Sequence, residues 1–365
     1  MKILIKNRKE LSEYLESKML SSQEQLEEEG ELEYKQFLLK TYLIESSVSD
    51  LNSIAAPEGF NIHIQQTQDR TLQILNVQKD SAKATFYLDT VNPRFWLIHT
   101  VDSSSFTTPF IQKYVSSVMN GLDHPWLPTQ FMIGLSQKDE FRGFTLKYDE
   151  EFVKEGKEKA IENLSMRLWG KAAPHVLRTL KKDHELKNSI AISGVGIKHS
   201  IDGDYAIDDI ASWGRFTAKG TSIDGHYFII QDIQKRYSEK IELIEKSWLD
   251  YSSDAIGFKF RGEPLTIVFD KNIEDLPAFL DELLASRKPF RLWGVHKFIN
   301  KDFAKIVGID LHTGHKINLE ITKEWVRIYL PKGSCGNTAM RLLTNIQHHY
   351  DSEAVLESGE YGRII

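Results

Sequence analysis

The feature that most constrains the fold of this 365-residue chain is a strand-like segment followed by a helix-like segment, which occurs three times. The second and third occurrences share a phrase, "FRGFTLKYD" from Phe141 and "FRGEPLTIVFD" from Phe260. The first lies at the chain start, where "KILIK" precedes "RKELSEYLESKML". Alternating apolar and polar residues indicate the strands, and apolar residues three and four apart indicate the helices.

Four strand-like runs and a second helix follow each opening. In the third occurrence the runs are "FRLWGVHKF", "FAKIVGID", "HKINLEI" and "WVRIYL", before the helical "NTAMRLLTNIQHHY". In the middle one the fourth run is "HYFIIQDI". We therefore predict an α+β fold of three tandem β-α-ββββ-α-like units, with antiparallel sheets covered by helices. The predicted units are residues 1–138, 139–262 and 263–365.

Additional helices are predicted in the first two units. The first unit carries an acidic helical stretch from "QEQLEEEGELEYK" through "TYLIESSVSDL", which is a solvated surface or a docking surface for a basic partner. In the middle unit "EKAIENLSMRLW" is predicted as a helix, and "PHVLRTLKKDHEL" as a basic helical stretch with Pro174 in its first turn. In the third unit, Asn272 or Asp270 is the predicted helix N-cap.

Composition limits the classes of protein. Hydrophobic residues make up 41% of the chain, which is enough for ordinary cores, and the net charge of −6 argues against a broadly basic nucleic-acid coat. Cys335 is the only cysteine, so an intramolecular disulfide is excluded and a cysteine-based zinc site is disfavoured. Neither a signal peptide nor a run of about 18 apolar residues is visible, which predicts a cytoplasmic protein that does not enter the membrane.

A metal-dependent nuclease site is the strongest catalytic alternative. The segment "DLHTGHKINLEITKEW" contains Asp310, Glu320 and Lys323, and such sites combine carboxylates that hold Mg²⁺ with a lysine near the phosphate. The usual spacing of the Glu and Lys differs by one residue, and strand alternation places Glu320 and Lys323 on opposite faces. The sequence therefore favours an exposed hairpin turn at "HTGH" over a metal site.

A second acidic segment, "SIDGDYAIDDI", begins like a calcium-binding loop. Its glycine, Gly203, comes too early, and no closing glutamate stands at the required offset. We predict a hairpin turn at "DGD", because these residues tolerate unusual backbone angles.

The most basic stretch lies between residues 167 and 187. A helix that displays these side chains is a candidate nucleic-acid-binding face, although interleaved acidic residues also fit a solvated helix. The candidate residues are Arg167, Lys171, Arg178, Lys181, Lys182 and Lys187.

The repeat pattern and the absence of dinucleotide, P-loop, zincin or serine-hydrolase motifs lead to one hypothesis above the others. It is a non-enzymatic intracellular binding or assembly protein that acts within a larger complex and has a protein partner. The alternatives are the metal-dependent nuclease-like enzyme and a nucleic-acid-binding protein that uses the 167–187 face. No metal site and no cofactor are predicted.

Overall fold

The computed structural model describes residues 5–28, 30, 32, 37–135, 140–150, 163–254, 257–285 and 289–365. Its helices are α1 (Arg8–Glu28), α2 (Ser104–Val115), α3 (Thr129–Leu135), α4 (Ala173–Leu180), α5 (Ile223–Lys246), α6 (Leu276–Leu283) and α7 (Asn337–His349). None of the helices within these ranges is both long enough and apolar enough to cross a lipid bilayer.

The strands in the first half of the chain are β1 (Leu39–Ser46), β2 (Asn61–Gln66), β3 (Leu72–Lys79), β4 (Ala82–Asp89), β5 (Phe95–Thr100), β6 (Leu122–Asp123), β7 (Glu140–Asp149) and β8 (Asn163–Trp169). Those in the second half are β9 (Ile192–Ile201), β10 (Asp204–Ala211), β11 (Arg215–Gly220), β12 (Asp250–Asp254), β13 (Gly257–Arg261), β14 (Leu265–Val268), β15 (Leu292–Asn300), β16 (Phe303–Asp310), β17 (Lys316–Thr322), β18 (Trp325–Tyr329), β19 (Val355–Ser358) and β20 (Gly362–Arg363). The fold is mixed α+β with antiparallel sheets, which confirms the predicted class.

The chain forms two compact units, each assembled from separate segments. The first consists of Met1–Pro125, Ser136–Phe141 and Gly196–Gln234, and the second of Trp126–Leu135, Arg142–Val195 and Lys235–Ile365. The element order strand, helix, four strands, helix holds for β14, α6, β15 to β18 and α7. That order alone does not establish a triplication, so the three tandem units and their boundaries stay a prediction.

In the first unit the strands lie in the order β2-β3-β4-β5-β1-β11-β10-β9, and β6 pairs with β1. Side chains alternate across this sheet. Tyr42 and Ile44 of β1 enter an apolar core with Phe110 of α2, whereas Thr41 points to the other face and contacts His226 of α5. Because helices lie on both faces, every residue of β1 is buried.

In the second unit the larger sheet has the order β15-β16-β17-β18-β14-β19-β20, and β7 pairs with β8. Helices α6 and α7 pack on one face, where Phe279 of α6 contacts the rings of Phe269 and Tyr350. Buried and more exposed residues alternate along β16, β17 and β18. The face of these strands opposite the helices is therefore the more exposed one.

Three predicted elements are wrong. Residues 163–169 of the predicted helix "EKAIENLSMRLW" form strand β8, in which Leu164, Met166 and Leu168 are half-buried at two-residue spacing; residues 158–162 lie outside the described residues. "TYLIESS", predicted as helical, contains most of β1, whose burial on both faces removes the alternation that marks a strand.

The predicted strand "HYFIIQDI" lies within the 24-residue helix α5. Its aromatic and β-branched residues have strand propensity, but the longer segment has helical spacing. Most of the positions that α5 buries are three or four residues apart, namely Ile223, His226, Ile230, Ile233, Tyr237, Ile241 and Ile244, and Ile229 is buried beside them.

Helix α6 begins at a different cap from the predicted one. Asp275 is the N-cap, and its carboxylate accepts a hydrogen bond from the backbone N–H of Ala278 at 3.0 Å. The prediction of Asn272 or Asp270 is wrong, since Asp270 accepts hydrogen bonds from Lys187 and other side chains instead. The predicted place of Pro174 in the first turn of α4 is confirmed.

Candidate protein-binding surface

The hairpin of β15 and β16 exposes large apolar side chains on the described surface of the second unit. Trp293, Val295, Ile299 and Val307 are exposed to 51, 62, 51 and 60%, respectively. We call these four residues the hairpin patch. Val295 and Val307 face each other in the strand register, so their side chains form one continuous apolar surface. Contiguous apolar surface of this kind marks interaction sites more often than scattered exposed residues do.

A pair of glycines holds the two strands in this register. Gly294 and Gly308 are paired, and a Cβ atom on Gly294 would lie 2.8 Å from the carbonyl oxygen of Val307. A Cβ atom on Gly308 would lie 2.8 Å from the carbonyl oxygen of Trp293. Both separations are shorter than side-chain carbons tolerate, so only glycine permits this close approach. The glycine pair therefore keeps Trp293 and Val295 on the outer face.

Strand β15 lies at the end of the sheet order. Among the described residues it pairs with β16 and with no second strand, so one row of its backbone groups is available to another strand. The side chains around this edge are basic. Lys297 is exposed and lies opposite Lys305 in the register, and Lys301 lies in the connecting turn. An unpaired strand edge of this kind is the element to which extended peptides add in β-strand augmentation.

Asp310, the first catalytic candidate, is buried. Its carboxylate accepts hydrogen bonds from Thr338 Oγ1 at 2.6 Å and from the Arg341 guanidinium. Burial raises the pKa of Asp310, but the neighbouring Arg341 and His312 lower it by more than burial raises it. The pKa of Asp310 therefore lies below its usual range. The predicted turn after Asp310 is confirmed, with Gly314 at φ +77°. The predicted exposure of this turn holds for His315 but not for His312, which is 0% exposed, and Asp310 before the turn is 3% exposed.

Glu320 and Lys323 have other partners. Glu320 lies 2.8 Å from Lys305 Nζ, and this contact lowers the pKa of the Glu320 carboxyl. Lys323 follows the end of β17 and forms an ion pair with Asp302 at 2.8 Å. Within the described residues the three candidates are thus bound to three different groups, Asp310 to Arg341, Glu320 to Lys305 and Lys323 to Asp302. The metal-dependent nuclease remains a hypothesis.

Two of the six basic candidates form ion pairs within the second unit. Lys181 Nζ lies 2.9 Å from Glu353, and Lys187 binds Asp270. The hydrogen bond to Asp270 raises the pKa of Lys187. Both lysines therefore already have carboxylate partners that a phosphate would have to displace.

The other four basic candidates lie at the surface. Lys171, Arg178 and Lys182 are exposed in and around α4. Arg167 lies on β8 rather than on a helix and sits over the Trp169 ring at 5.0 Å. The set is therefore divided between a strand, a turn and a helix, and nucleic-acid binding by it stays a prediction.

The hairpin turn predicted at "DGD" is confirmed. Asp202 and Gly203 have φ values of +50° and +98° and join β9 to β10. Positive φ at both central positions is the conformation that matches the twist of a two-residue hairpin. Asp208, farther along the same segment, is fully buried and hydrogen-bonded to His226.

Sequence reasoning missed the hairpin patch, although it identified both strands. The available signal was the alternation of Trp293 and Val295 on what would be the solvent face of the sheet. An ordinary solvent face carries polar residues at such positions. The sequence does not reveal this exposure, because it depends on which face the helices cover.

The full length of the chain matches one protein family. A model of the MJECL33-like protein family matches residues 1–365. Among curated proteins, MJECL33 of Methanocaldococcus jannaschii is 33% identical over an alignment of 402 positions, which covers 99% of this chain and 96% of the relative. The match includes the segments of both compact units. The chain therefore belongs to the MJECL33-like family.

Proposed function

We propose that this protein is a non-enzymatic binding protein that acts within a larger complex and holds an extended, acidic segment of a protein partner against the hairpin patch. The observation that carries the proposal is the exposure of Trp293, Val295, Ile299 and Val307 on an edge hairpin. Folding gains little from apolar side chains that stay in water, whereas a partner that covers them gains their burial.

An added strand is the form of partner that this surface accepts best. Backbone groups along β15 supply hydrogen bonds to a strand, and alternate side chains of that strand lie over the patch. Trp293 offers the largest apolar area of the four, and tryptophan residues often dominate the energy of protein interfaces. Full burial of each aliphatic side chain is worth about 1.5–3 kcal/mol before the costs of association.

The charges around the patch select an acidic partner over a second copy of this chain. Within residues 292–305, Lys305 is already paired with Glu320 at 2.8 Å and Lys301 lies 3.9 Å from Asp302, so among the described residues Lys297 supplies the excess positive charge beside the patch. Pairing of β15 with β15 of another copy would bring the lysines of both copies together, and like charges on neighbouring strands are destabilising. An acidic segment places opposite charges at the same positions.

The test is site-specific photo-crosslinking in lysate of the native host. A benzophenone amino acid replaces Val307 in the patch, which is 60% exposed, or, in the control, Val118, which is similarly exposed at 65% but lies in the first unit. We expect position 307 to crosslink one protein in stoichiometric amount through a segment rich in Asp, Glu and apolar residues. Position 118 should not capture that protein.

Two further variants separate apolar contact from charge. Val307→Lys removes the apolar side chain and keeps the basic character, and Val307→Glu also adds a charge that repels an acidic segment. We expect Val307→Lys to weaken binding of the crosslinked segment, made as a synthetic peptide, by about tenfold, and Val307→Glu to weaken it further. Equal capture at both positions, a captured segment without acidic residues, or crosslinks to nucleic acid alone would contradict the proposal.

A further inference from the structure

A cavity in the first unit lies between α1, α5 and strand β5. Its volume is about 650 Å³, within the range of sites for small molecules. Tyr227, Gln231 and Gln234 line it from one face of α5, and Phe95 and His99 line it from one face of β5. Each of these sets has the spacing that brings its side chains to the same face. The cavity is distinct from the hairpin patch, which belongs to the second unit.

A chain of buried hydrogen bonds leads from β10 to the cavity. His226 Nδ1 lies 2.8 Å from Asp208 Oδ1, and His226 Nε2 lies 2.8 Å from Thr41 Oγ1. Thr41 Oγ1 also lies 2.9 Å from Nδ1 of His99. The four side chains are 0–1% exposed, so the chain is shielded from bulk water. Only His99, at its end, lines the cavity.

With His226 neutral, the proton count along this chain gives His99 a defined hydrogen-bonding role. When His226 is neutral, its Nδ1–H donates to Asp208, and its Nε2 accepts the hydroxyl hydrogen of Thr41. The Thr41 oxygen then accepts a hydrogen bond from His99 Nδ1–H, which leaves a lone pair on His99 Nε2. Burial, with a contribution from the nearby His226, lowers the pKa of His99 to about 3, so its ring is neutral near pH 7. Nε2 is thus the ring nitrogen left to accept a hydrogen bond from a molecule in the cavity.

Thr41 is a link in this chain rather than a nucleophile. Its hydroxyl has histidine partners on both sides and no solvent exposure. A buried aspartate–histidine pair is costly to desolvate, and a structural core does not require one. The hydrogen bonds that continue from this pair through Thr41 to His99 orient the His99 ring at the wall of the cavity.

The charges of the cavity wall are balanced. Arg8 Nη2 lies 2.8 Å from Asp89, and the same guanidinium also binds Asp69, so Arg8 already has carboxylate partners. Lys9 and Asp224 contribute one further charge of each sign. This balance disfavours a multiply charged anion such as a nucleotide phosphate.

The remaining wall combines amides with apolar surface. Gln231 and Gln234 supply amide donors and acceptors, and Phe95 and Leu97 supply apolar contact. Asn92 supplies an amide donor, because its Oδ1 already accepts the backbone N–H groups of Arg94 and Phe95. Amide side chains read the edges of nucleobases, and aromatic rings pack against their faces. We infer that this cavity binds an uncharged heterocycle of nucleoside size, with His99 Nε2 accepting a hydrogen bond from it and with Asp208 setting that role through His226 and Thr41.

The first test is nuclear magnetic resonance of the full chain labelled with ¹⁵N-histidine, at pH 8. The chain has 12 histidines, and His99→Gln assigns the signals of His99. We expect His99 to be in the Nδ1–H form. We also expect at least one of adenosine, guanosine, cytidine and uridine, at about 1 mM, to shift its Nε2 signal. Exposed His63 on β2 is the internal control and should not move. Nε2–H on His99, or no shift with any of the four nucleosides, would overturn the inference.

The second test compares variants and charge. Thr41→Ser keeps the hydroxyl, whereas Thr41→Val removes it and keeps the shape. We expect the nucleoside dissociation constant of Thr41→Ser to stay within about threefold of the original and that of Thr41→Val to rise about tenfold. Adenosine monophosphate should bind about tenfold more weakly than adenosine. Tighter binding of the monophosphate, or equal binding by the two Thr41 variants, would contradict the inference. If Thr41→Val does not fold, the histidine spectrum of the unsubstituted protein with and without nucleosides tests the inference instead.

Discussion

The buried chain of the first unit and the hairpin patch of the second reverse the usual distribution of residues in opposite ways. Asp208 and His226 are polar groups without solvent exposure, whereas Val295 and Val307 are apolar groups exposed to 60% or more. The buried groups have partners within the unit, and the described residues do not cover the exposed ones. This comparison separates groups that folding needs from groups that folding tolerates.

The two regions therefore respond differently to substitution. Removal of one member of a buried pair leaves a desolvated polar group without its partner and is strongly destabilising. Replacement of an exposed apolar side chain by a polar one changes little in the folded state. Stability measurements on both regions test whether burial, rather than residue type, decides the outcome.

The largest effect is expected for Asp208→Ala. The substitution leaves His226 buried without its carboxylate and should lower the free energy of unfolding by about 3–5 kcal/mol. Urea unfolding of the full chain measures the loss. Asp204→Ala, an exposed position on the same strand, is the matched control and should change stability by less than about 0.5 kcal/mol. Equal losses of stability at the two positions would mean that the buried hydrogen bonds of Asp208 do not stabilise the fold more than an exposed carboxylate does.

A buried ion pair in the second unit tests whether burial decides the cost of a substitution there as well as in the first unit. Arg341→Met leaves the carboxylate of Asp310 buried without its guanidinium and should cost about 3–5 kcal/mol. The exposed Arg327 on β18 is the control, and Arg327→Met should cost less than about 1 kcal/mol. A small loss for Arg341→Met would limit the contrast to the first unit.

The dependence of stability on pH gives a smaller and more specific signal. The pKa of His99 is about 3 in the folded protein and about 6.5 in the unfolded chain, so only the unfolded chain binds this proton between those values. The contribution of His99 to stability is therefore present above pH 6.5 and lost as the pH falls toward 3, by at most about 1.4 kcal/mol per pH unit. His99→Gln should flatten the acid limb of the unfolding profile.

The smallest effect is expected in the hairpin patch. Val295→Ser and Val307→Ser should each change the free energy of unfolding by less than about 0.5 kcal/mol, because both side chains are exposed. The same variants should bind less of a hydrophobic fluorescent dye than the original protein. A loss above about 2 kcal/mol would mean that the patch is covered within the chain.

Local patterns predicted much of the fold. The α+β class, most of the strands and the turn at Asp202 and Gly203 followed from alternation and from turn chemistry, which act over a few residues. The segments that failed are those where local pattern and environment disagree. Strand β1 is buried on both faces and does not alternate, and the middle of α5 is rich in residues that favour strands.

The candidate sites were less predictable, because they depend on contacts between distant segments. Nothing near Thr41 indicates that its hydroxyl meets His226, and the local sequence around Asp208 indicates only an acidic loop. The exposure of Trp293 and Val295 depends on which face of the sheet α6 and α7 cover. The sequence contains these residues but not the arrangement that gives them a role.

The discontinuous construction of the first unit has a consequence for its synthesis. Thr41 and His226 are 185 residues apart, and at about 5–20 residues per second the ribosome adds His226 about 10–40 s after Thr41. Until the segment that ends at Gln234 has emerged from the ribosome, α5 cannot cover its face of β1. During this interval the face of β1 that carries Thr41 is exposed on the nascent chain and accessible to chaperones.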